Sequence, residues 1–244
     1  MGLSEFHYYK EESIHPGFSV DCVLLTFHKG KIKVLLRKFA VGDYYSLIGG
    51  FMFNHENANQ AAQRVLEKMT GIKDIFLKQF YLFSDPQRTI FAQNQEYVNR
   101  YASSEAEGKW LLRRFISMGY IAFVPYDKIE LTKGGSEILN WYDINKLPPL
   151  QSDHANIIKT ALEWIRSVFP TIPVGYELLP EKFTMTELRR IYEILLDKKL
   201  DRRNFQRKIL SNDCIEQLDE TKEGRTYNPP ILYRFNSPDI GLSF

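Results

Sequence analysis

The sequence predicts an α/β sandwich domain with a mixed sheet, followed by a small domain of two helices and a β-hairpin. Apolar, strand-like runs alternate with a strongly periodic helix in the first third of the chain, which is typical of layered α and β elements. A segment with three prolines and a glycine, residues 170–180, then separates two periodic regions. Beyond it, two short helices precede a hairpin, which is the order of a winged helix-turn-helix. We therefore predict domains at residues 1–172 and 173–244.

The composition restricts the class of protein. A hydrophobic content of 44% and a charged content of 25% are those of a soluble globular protein. The net charge of +2 neither indicates nor excludes a nucleic-acid partner. Cys22 and Cys214 lie far apart without metal-ligand spacing, which favours a reduced, cytoplasmic setting. The sequence shows no leader-like or membrane-spanning apolar run, so we expect no membrane association.

Five apolar runs predict the strands of the first domain. Lys29-Gly30 predicts a hairpin turn between the first two runs, and residues up to about 16 are interpreted as an arm. Residues 44–48 lead into a diglycine. The predicted strands are Phe18–Phe27, Ile32–Arg37, Ile75–Phe83, Gly119–Pro125 and Glu137–Tyr142.

The segment from Gly49 to Ile72 combines the diglycine with an amphipathic helix. Gly49-Gly50 predicts a sharp loop with permissive backbone angles. Gly71 stands where a helix C-cap is expected. Apolar residues recur between them at helical spacing, namely Ala61, Ala62, Val65, Leu66 and Met69.

This segment resembles the Nudix box, whose pattern is Gly, five residues, Glu, seven residues, then Arg-Glu-apolar-x-Glu-Glu-x-Gly-apolar. The matching positions are Gly50, Glu56, Arg64, Leu66, Gly71 and Ile72. The resemblance implies a Nudix-like α/β/α sandwich with a mixed sheet. It also implies a ligand cleft, for which we predict the effector-binding residues Gly50, Phe51, Glu56 and Arg64.

The three positions of the family's helix glutamates hold Val65, Lys68 and Met69. Nudix hydrolases hold Mg²⁺ through those glutamates, and Mg²⁺ requires hard oxygen ligands. Valine and methionine offer no oxygen, and Lys68 is itself a cation. Glu67 is a poor substitute because one residue along a helix turns the side chain by roughly 100°. We therefore expect no catalytic residue, no metal and no cofactor.

Residues 87–114 interrupt the expected order of strands. They are polar and aromatic with few turn residues before Gly108, and we interpret them as an insertion with helical character. The sequence leaves open whether this insertion is a lid, a dimer element or a surface excursion. Part of it is predicted to pack through Trp110, Leu111, Leu112 and Phe115.

A helix is predicted from Asp153 to Val168, with Asp153 as its N-cap. His154 is interpreted as a structural residue rather than a ligand, because no second histidine or cysteine lies near it in sequence.

The second domain begins with a capping box, in which Thr184 and Glu187 open a helix. Asp201 is the predicted N-cap of a second helix, and Leu200 and Phe205 form a hydrophobic staple. A hairpin of residues 215–235 follows as a candidate wing. The second helix could be an appendage with a solvated charged face, but acidic residues are scarce in it. The basic and amide side chains of the helix and wing that we single out are Lys199, Arg202, Arg203, Gln206, Arg207, Lys222 and Arg225.

Residues 201–208, Asp-Arg-Arg-Asn-Phe-Gln-Arg-Lys, closely resemble the recognition helix of the Nudix-related transcriptional regulators. Residues 153–154, 177–180, 183–188 and 232–235 resemble that family too. The resemblance implies a catalytically altered Nudix domain that senses a metabolite and a winged helix that binds operator DNA. The basic and amide side chains named above, Gln206 included, are then the predicted DNA-binding residues. The chain departs from the family in the insertion.

We therefore predict a cytoplasmic homodimer, paired largely through the Nudix-like domain, with double-stranded operator DNA as its partner. The effector is a small molecule, a sugar such as arabinose or a nucleotide sugar resembling ADP-ribose. Two alternatives remain. One is an atypical pyrophosphohydrolase that uses Glu56 and Glu67. The other is a module that binds a nucleotide or sugar and uses its tail for protein contacts.

Overall fold

A computed structural model describes residues 14–39, 43–73, 75–129, 137–168, 178–211, 215–222, 227 and 229–236. These residues fall into two compact units. The first holds the described parts of Met1–Leu25, Lys33–Ala122 and Asp127–Ala161. The second holds those of Thr26–Ile32, Phe123–Tyr126 and Leu162–Phe244. These units do not test the division after residue 172, which stays a prediction.

A seven-stranded sheet organises the N-terminal region. The path β3-β2-β1-β6-β5 carries β4 on β1 and β7 on β2. The pairs of β1 with β4, β2 with β3 and β7, and β5 with β6 are antiparallel, and an isolated bridge between Tyr45 and Leu150 is parallel. The strands are β1 (Ile14–His28), β2 (Lys31–Phe39), β3 (Tyr45–Ser46), β4 (Ile48–Phe53), β5 (Lys78–Phe83), β6 (Ile116–Phe123) and β7 (Glu137–Asp143).

Four helices accompany this sheet: α1 (Ala58–Thr70), α2 (Phe91–Tyr101), α3 (Glu105–Leu111) and α4 (His154–Val168). In α1, Asn57 and Gln60 form a reciprocal capping box, and Gly71 closes the helix in the left-handed conformation, as predicted. Helices α1 and α4 bury the apolar faces that their periodicity predicts, and both faces reach essentially zero exposure at Ala61, Leu66, Ile157 and Ala161. The predicted α/β fold class is confirmed.

The prediction of a sharp loop at the diglycine is wrong. Gly49 and Gly50 lie inside β4, and neither has a positive φ. Glycine is required here for a different reason, since Gly49 lies opposite Asp21 in the pairing of β4 with β1. A Cβ on Gly49 would lie 2.6 Å from Asp21 Oδ1 and 2.7 Å from the carbonyl oxygen of Val20. The small residue lets a strand pass close to a buried carboxylate.

Several predicted boundaries move. Strand β1 begins at Ile14, inside the predicted arm, and β6 begins at Ile116 rather than Gly119. Strand β5 begins at Lys78 rather than Ile75. The insertion is helical, as predicted, and forms α2 and α3. Its folding is explained by a buried apolar cluster of Val98, Trp110, Leu111 and Phe115.

The C-terminal region contains β8 (Phe183–Thr184), α5 (Met185–Leu196), α6 (Arg202–Leu210), β9 (Ile215–Thr221) and β10 (Ile231–Phe235). The three strands form a sheet in the order β8-β10-β9. The Thr184–Glu187 capping box and the Asp201 N-cap are both present as predicted. Phe205 is buried and meets Tyr192 of α5 edge-on, with ring centroids 5.0 Å apart. Two helices and a hairpin therefore form the predicted winged helix, in which β8 is an additional short strand.

Among the described residues, we find no helix whose length and apolar character would let it cross a membrane.

Candidate functional site

A cavity of about 140 Å³ opens in the first unit between β4, the start of α4 and the insertion. Its walls include Gly49, Gly50, Phe51 and Phe115. Polar residues line most of the rest, and those with charged, amide or imidazole groups are Asp21, Arg37, Arg88, Asn94, Gln151, Asp153 and His154. Convergent polar groups beside aromatic residues suit a small-molecule site, and this cavity is smaller than the ~300–1,000 Å³ of most ligand pockets.

Arg88 is the central cation of this cavity. It is 9% exposed and makes a two-pronged contact with Asp153, in which Nε donates to Oδ2 at 2.9 Å and Nη2 to Oδ1 at 3.0 Å. Its Nη1 donates to the carbonyl oxygen of Phe115 at 2.8 Å, and Nη2 lies 3.4 Å from Asp21 Oδ2. The fork geometry of arginine suits this bidentate contact, which ties the insertion to the start of α4. Asp153 precedes α4 as predicted, and its carboxylate accepts hydrogen bonds from Arg88.

Asp21 links the cavity to the sheet. Ser117 Oγ donates to Asp21 Oδ2 at 2.5 Å, and His154 Nε2 lies 3.6 Å from Asp21 Oδ1. The backbone N–H of Leu47 donates to His154 Nδ1 at 3.0 Å, so the neutral ring carries its proton on Nε2, facing Asp21. Burial lowers the pKa of His154, although the charges of Asp21 and Asp153 act in the opposite direction. His154 therefore acts as a neutral donor and acceptor. It links the backbone at Leu47, just before β4, to the start of α4, in keeping with its predicted structural role.

Arg37 lies on the wall beside the Nudix-like helix. The residue is 7% exposed, and its Nε donates to Ser46 Oγ at 3.3 Å. Its Nη1 lies 3.8 Å from the sulfur of Met69, one of the three altered Nudix-box positions. A guanidinium therefore lies beside a helix position at which the family's motif has a glutamate.

The predicted effector-binding residues divide into two pairs. Gly50 and Phe51 line the cavity. Glu56 and Arg64 bind each other instead: Arg64 Nε donates to Glu56 Oε2 at 2.9 Å and Nη2 to Oε1 at 2.6 Å. Arg64 also donates to the Phe51 carbonyl oxygen at 2.8 Å, and Glu56 accepts from the Phe53 N–H at 2.7 Å. This pair joins α1 to β4, and its contact with a ligand stays a prediction.

The helix of the Nudix-like box does not fit Mg²⁺. Val65 is buried, Lys68 is exposed, and Met69 contacts Arg37. The nearby Glu67 is exposed and lies 3.3 Å from Lys73. Across the described residues, no group of three or more His, Cys, Asp or Glu is arranged to hold a metal ion. The donor set therefore offers no hard-oxygen cage of the kind that Mg²⁺ requires.

The insertion forms part of the cavity wall, which decides against a mere surface excursion. Trp110 and Phe115 each lie 4.7 Å from the Phe51 ring, centroid to centroid. Gln151 Nε2 donates to Asn94 Oδ1 at 3.0 Å, joining α2 to the segment before α4. The predicted packing of Trp110, Leu111 and Phe115 is confirmed, and Leu112 packs against the same cluster.

Sequence reasoning missed the polar residues of the cavity. Asp21 and Arg37 come from the strands β1 and β2, Arg88 comes from the loop after β5, and only the folded chain brings the three together. Two residues of the cavity, Asp153 and His154, do carry a sequence signal, because they match a motif of the resembled family.

The second unit presents the predicted basic helix. Lys199, Arg202, Arg203 and Arg207 are exposed on or beside α6, whereas Phe205 faces inward. Gln206 is partly buried, and its amide donates to the Tyr233 hydroxyl at 3.2 Å. In the wing, Lys222 is exposed and lies 2.5 Å from Glu187 Oε1. Arg225 lies outside the described residues. The first turn of α6 thus offers Arg202 and Arg203 to a partner, and Arg207 follows in the last turn.

Together the two units define a protein with a Nudix-like sandwich followed by a winged helix. Residues 175–235 match the NrtR DNA-binding winged helix domain, so the C-terminal unit is of that type. The chain is similar in fold to Shewanella oneidensis NrtR, with 24% identity, a TM-score of 0.70 and coverage of 92% of this chain and 95% of that one. In complex with a 27mer DNA, the same relative gives 22% identity, a TM-score of 0.69 and coverage of 89% and 93%.

A relative from Acinetobacter baylyi, the ADPR responsive transcriptional repressor NtrR, is 24% identical over 97% of this chain and 89% of its own. These comparisons confirm the resemblance to the Nudix-related transcriptional regulators in architecture, order of domains and DNA-binding module.

Proposed function

We propose that this protein is a DNA-binding transcriptional regulator whose Nudix-like domain binds a small metabolite and thereby controls operator binding by the winged helix. The observation that carries the proposal is the exposed basic face of α6, on a unit that matches a DNA-binding winged helix domain. Arg202 and Arg203 stand in the first turn of α6, where helix-turn-helix proteins contact bases and phosphates.

The cavity beside β4 is the proposed effector site. Two buried arginines, two carboxylates and two amides line it, and these groups suit a ligand rich in hydroxyl and phosphate oxygens. A sugar and an ADP-ribose-like nucleotide both have such groups. The A. baylyi relative is named as responsive to ADPR, which favours the nucleotide as the first effector to test.

The proposal excludes Nudix hydrolysis, because Val65, Lys68 and Met69 supply no carboxylate for Mg²⁺. The alternative pyrophosphohydrolase would need Glu56 and Glu67. Both Glu56 oxygens already accept hydrogen bonds from Arg64, and Glu67 is exposed beside Lys73. The contacts of these two carboxylates give no support for a metal-dependent reaction.

We propose in addition that the regulator is a cytoplasmic homodimer formed through the Nudix-like domain. Strand β5 stands at the end of the sheet path, and it exposes Tyr81 and Leu82, with Phe76 exposed just before it. An exposed apolar strand of this kind at the edge of a sheet favours contact with a second protein surface, which supports pairing through this domain.

The test is binding of the full chain to DNA from the promoter of its own operon, with ADP-ribose and arabinose titrated separately. Sequence-specific binding that one ligand changes supports the proposal. Equal affinity for promoter and unrelated DNA, or steady hydrolysis of the nucleotide, contradicts it.

A further inference from the structure

A cavity of about 310 Å³ lies inside the winged helix, between the first turns of α5 and α6 and the start of β10. It is larger than the cavity beside β4, and its volume falls within the ~300–1,000 Å³ of most ligand pockets. One side is apolar and is formed by Met185, Pro229, Pro230 and Ile231. An apolar wall with a few polar groups is what a small organic ligand requires.

Arg189 is an incompletely used cation in the wall of this cavity. Its side chain is 26% exposed, and its Nε lies 3.9 Å from Glu193 Oε1, which is too far for a hydrogen bond. That Glu193 oxygen accepts from the Leu200 N–H at 3.0 Å instead. The buried Nε has no hydrogen-bond partner among the described residues. The Arg189 guanidinium therefore keeps donors for a ligand.

Arg202 and Tyr233 add further donors to the same cavity. Arg202 is exposed in the first turn of α6, and no carboxylate of a described residue lies within ion-pair distance of it. The Tyr233 hydroxyl accepts from the Gln206 amide at 3.2 Å, which leaves its own proton to donate. None of the described residues that line the cavity is acidic. Two guanidinium groups without a carboxylate in the wall suit an oxyanion.

We propose that this cavity binds a small organic anion, a carboxylate or a phosphate monoester on an apolar ring or chain, and that the bound ligand and operator DNA exclude each other. The anionic group contacts Arg189 and Arg202, and the apolar body lies against Met185 and Ile231. Arg202 and Gln206 are also predicted DNA contacts, so the exclusion rests on the proposed function, whereas binding of the anion does not.

The first experiment follows the methionine methyl groups of the full chain by NMR during titration with phenyl phosphate. Met185 is one of five methionines, and Met185→Leu assigns its signal. We expect a saturable shift of this signal at millimolar concentration, with little change at Met118 of β6. Inorganic phosphate should bind roughly 10-fold more weakly, because it cannot bury a ring against the apolar wall.

Two results of this titration overturn the inference. One is the absence of any shift at Met185. The other is equal affinity for inorganic phosphate and phenyl phosphate, since the cavity would then hold only a bare phosphate, such as one of the DNA backbone.

The second experiment removes the cations one at a time. Arg189→Gln should weaken phenyl phosphate binding roughly 10- to 100-fold, the range for a hydrogen bond to a charged group. Arg202→Gln, at an exposed position, should act in the same direction and remains informative where Arg189→Gln fails to fold. The matched control is Lys208→Gln, which removes one positive charge from an exposed residue of α6 outside the cavity wall and should bind as the parent does. If neither arginine variant binds more weakly than this control, the inference is wrong.

The third experiment measures promoter binding by the full chain in phenyl phosphate and, separately, in inorganic phosphate at the same ionic strength, which controls for salt screening. Phenyl phosphate should weaken promoter binding more than inorganic phosphate does, and less so in Arg189→Gln than in the parent. Unchanged promoter affinity where the Met185 signal is saturated contradicts the exclusion. A parent that binds no DNA contradicts the proposed function and with it the exclusion, while the NMR titration of the free protein still decides the anion site.

Discussion

At the scale of single residues, the buried contact between Arg88 and Asp153 should contribute strongly to stability. Asp153→Ala leaves the Arg88 guanidinium buried with one of its carboxylate partners removed, which costs about 3–5 kcal/mol in comparable cases. We expect a loss of that size in the free energy of unfolding, measured with urea. Asp127→Ala, at an exposed aspartate, is the control and should change it by less than about 0.5 kcal/mol. Similar losses in the two variants would contradict the assigned contact.

A second residue-scale prediction concerns pH. Burial lowers the pKa of His154 below its ordinary value of 6.5, so the unfolded chain takes up a proton before the folded protein does. The free energy of unfolding should therefore be constant above about pH 7.5 and should fall as the pH drops below 6.5. Protonation would also remove Nδ1 as acceptor for the Leu47 N–H. His154→Gln should flatten this part of the pH profile, and an equally steep profile in that variant would count against the assignment.

Single residues also show where sequence reasoning fails. Asn57, Gly71, Thr184 and Asp201 were predictable or follow the same local rules, because a cap bonds to residues within four positions of itself. The diglycine was misinterpreted because its cause, the approach of Gly49 to Asp21, arises only when β4 pairs with β1. The cavity was missed for the same reason, since Arg88 and Asp153 are distant in sequence but share two hydrogen bonds.

At the scale of elements, α6 should read DNA through its first turn. Arg203→Ala should cost about 1–3 kcal/mol in operator binding and relax the preference at one base pair, because arginine can donate two hydrogen bonds to guanine. Lys199→Ala, beside the helix, should weaken binding to every sequence and reduce the salt slope by about one charge. Salt-titrated fluorescence anisotropy on operator and scrambled DNA measures both. If neither Arg203→Ala nor Arg207→Ala changes affinity while the fold stays intact, α6 is a solvated face.

Gln206 and Lys222 are less suitable positions for testing DNA contacts by substitution. The Gln206 amide donates to Tyr233, and Lys222 is close to Glu187, so replacing either side chain also disturbs contacts inside the winged helix. Arg203 is the sharper probe, since it is exposed at the start of α6. The helical character of the insertion was predictable from its composition. Its place in the cavity wall depends on hydrogen bonds from Arg88 to Asp153 and from Gln151 to Asn94, which join residues remote in sequence.

At the scale of the whole molecule, we expect a dimer. Leu82→Asp places a charge on the exposed edge strand β5 and should convert the dimer to a monomer in light scattering, while the stability of the fold changes little. Asp85→Ala, at an exposed residue just beyond the strand, is the control. Operator binding should weaken with dimer loss, since paired half-sites contribute jointly to affinity. A parent protein that is monomeric both free and on DNA would contradict this prediction.

The central claim is that ligand binding in a Nudix-like cavity, without hydrolysis, controls DNA binding. One measurement tests it most directly: ADP-ribose is titrated into the protein–promoter complex in EDTA and again in MgCl₂, and the nucleotide is recovered and analysed afterwards. The account predicts that promoter affinity changes with ADP-ribose concentration equally in both buffers and that the nucleotide is recovered intact. Recovery of AMP and ribose 5-phosphate in MgCl₂, or a promoter affinity that ADP-ribose leaves unchanged, would contradict it.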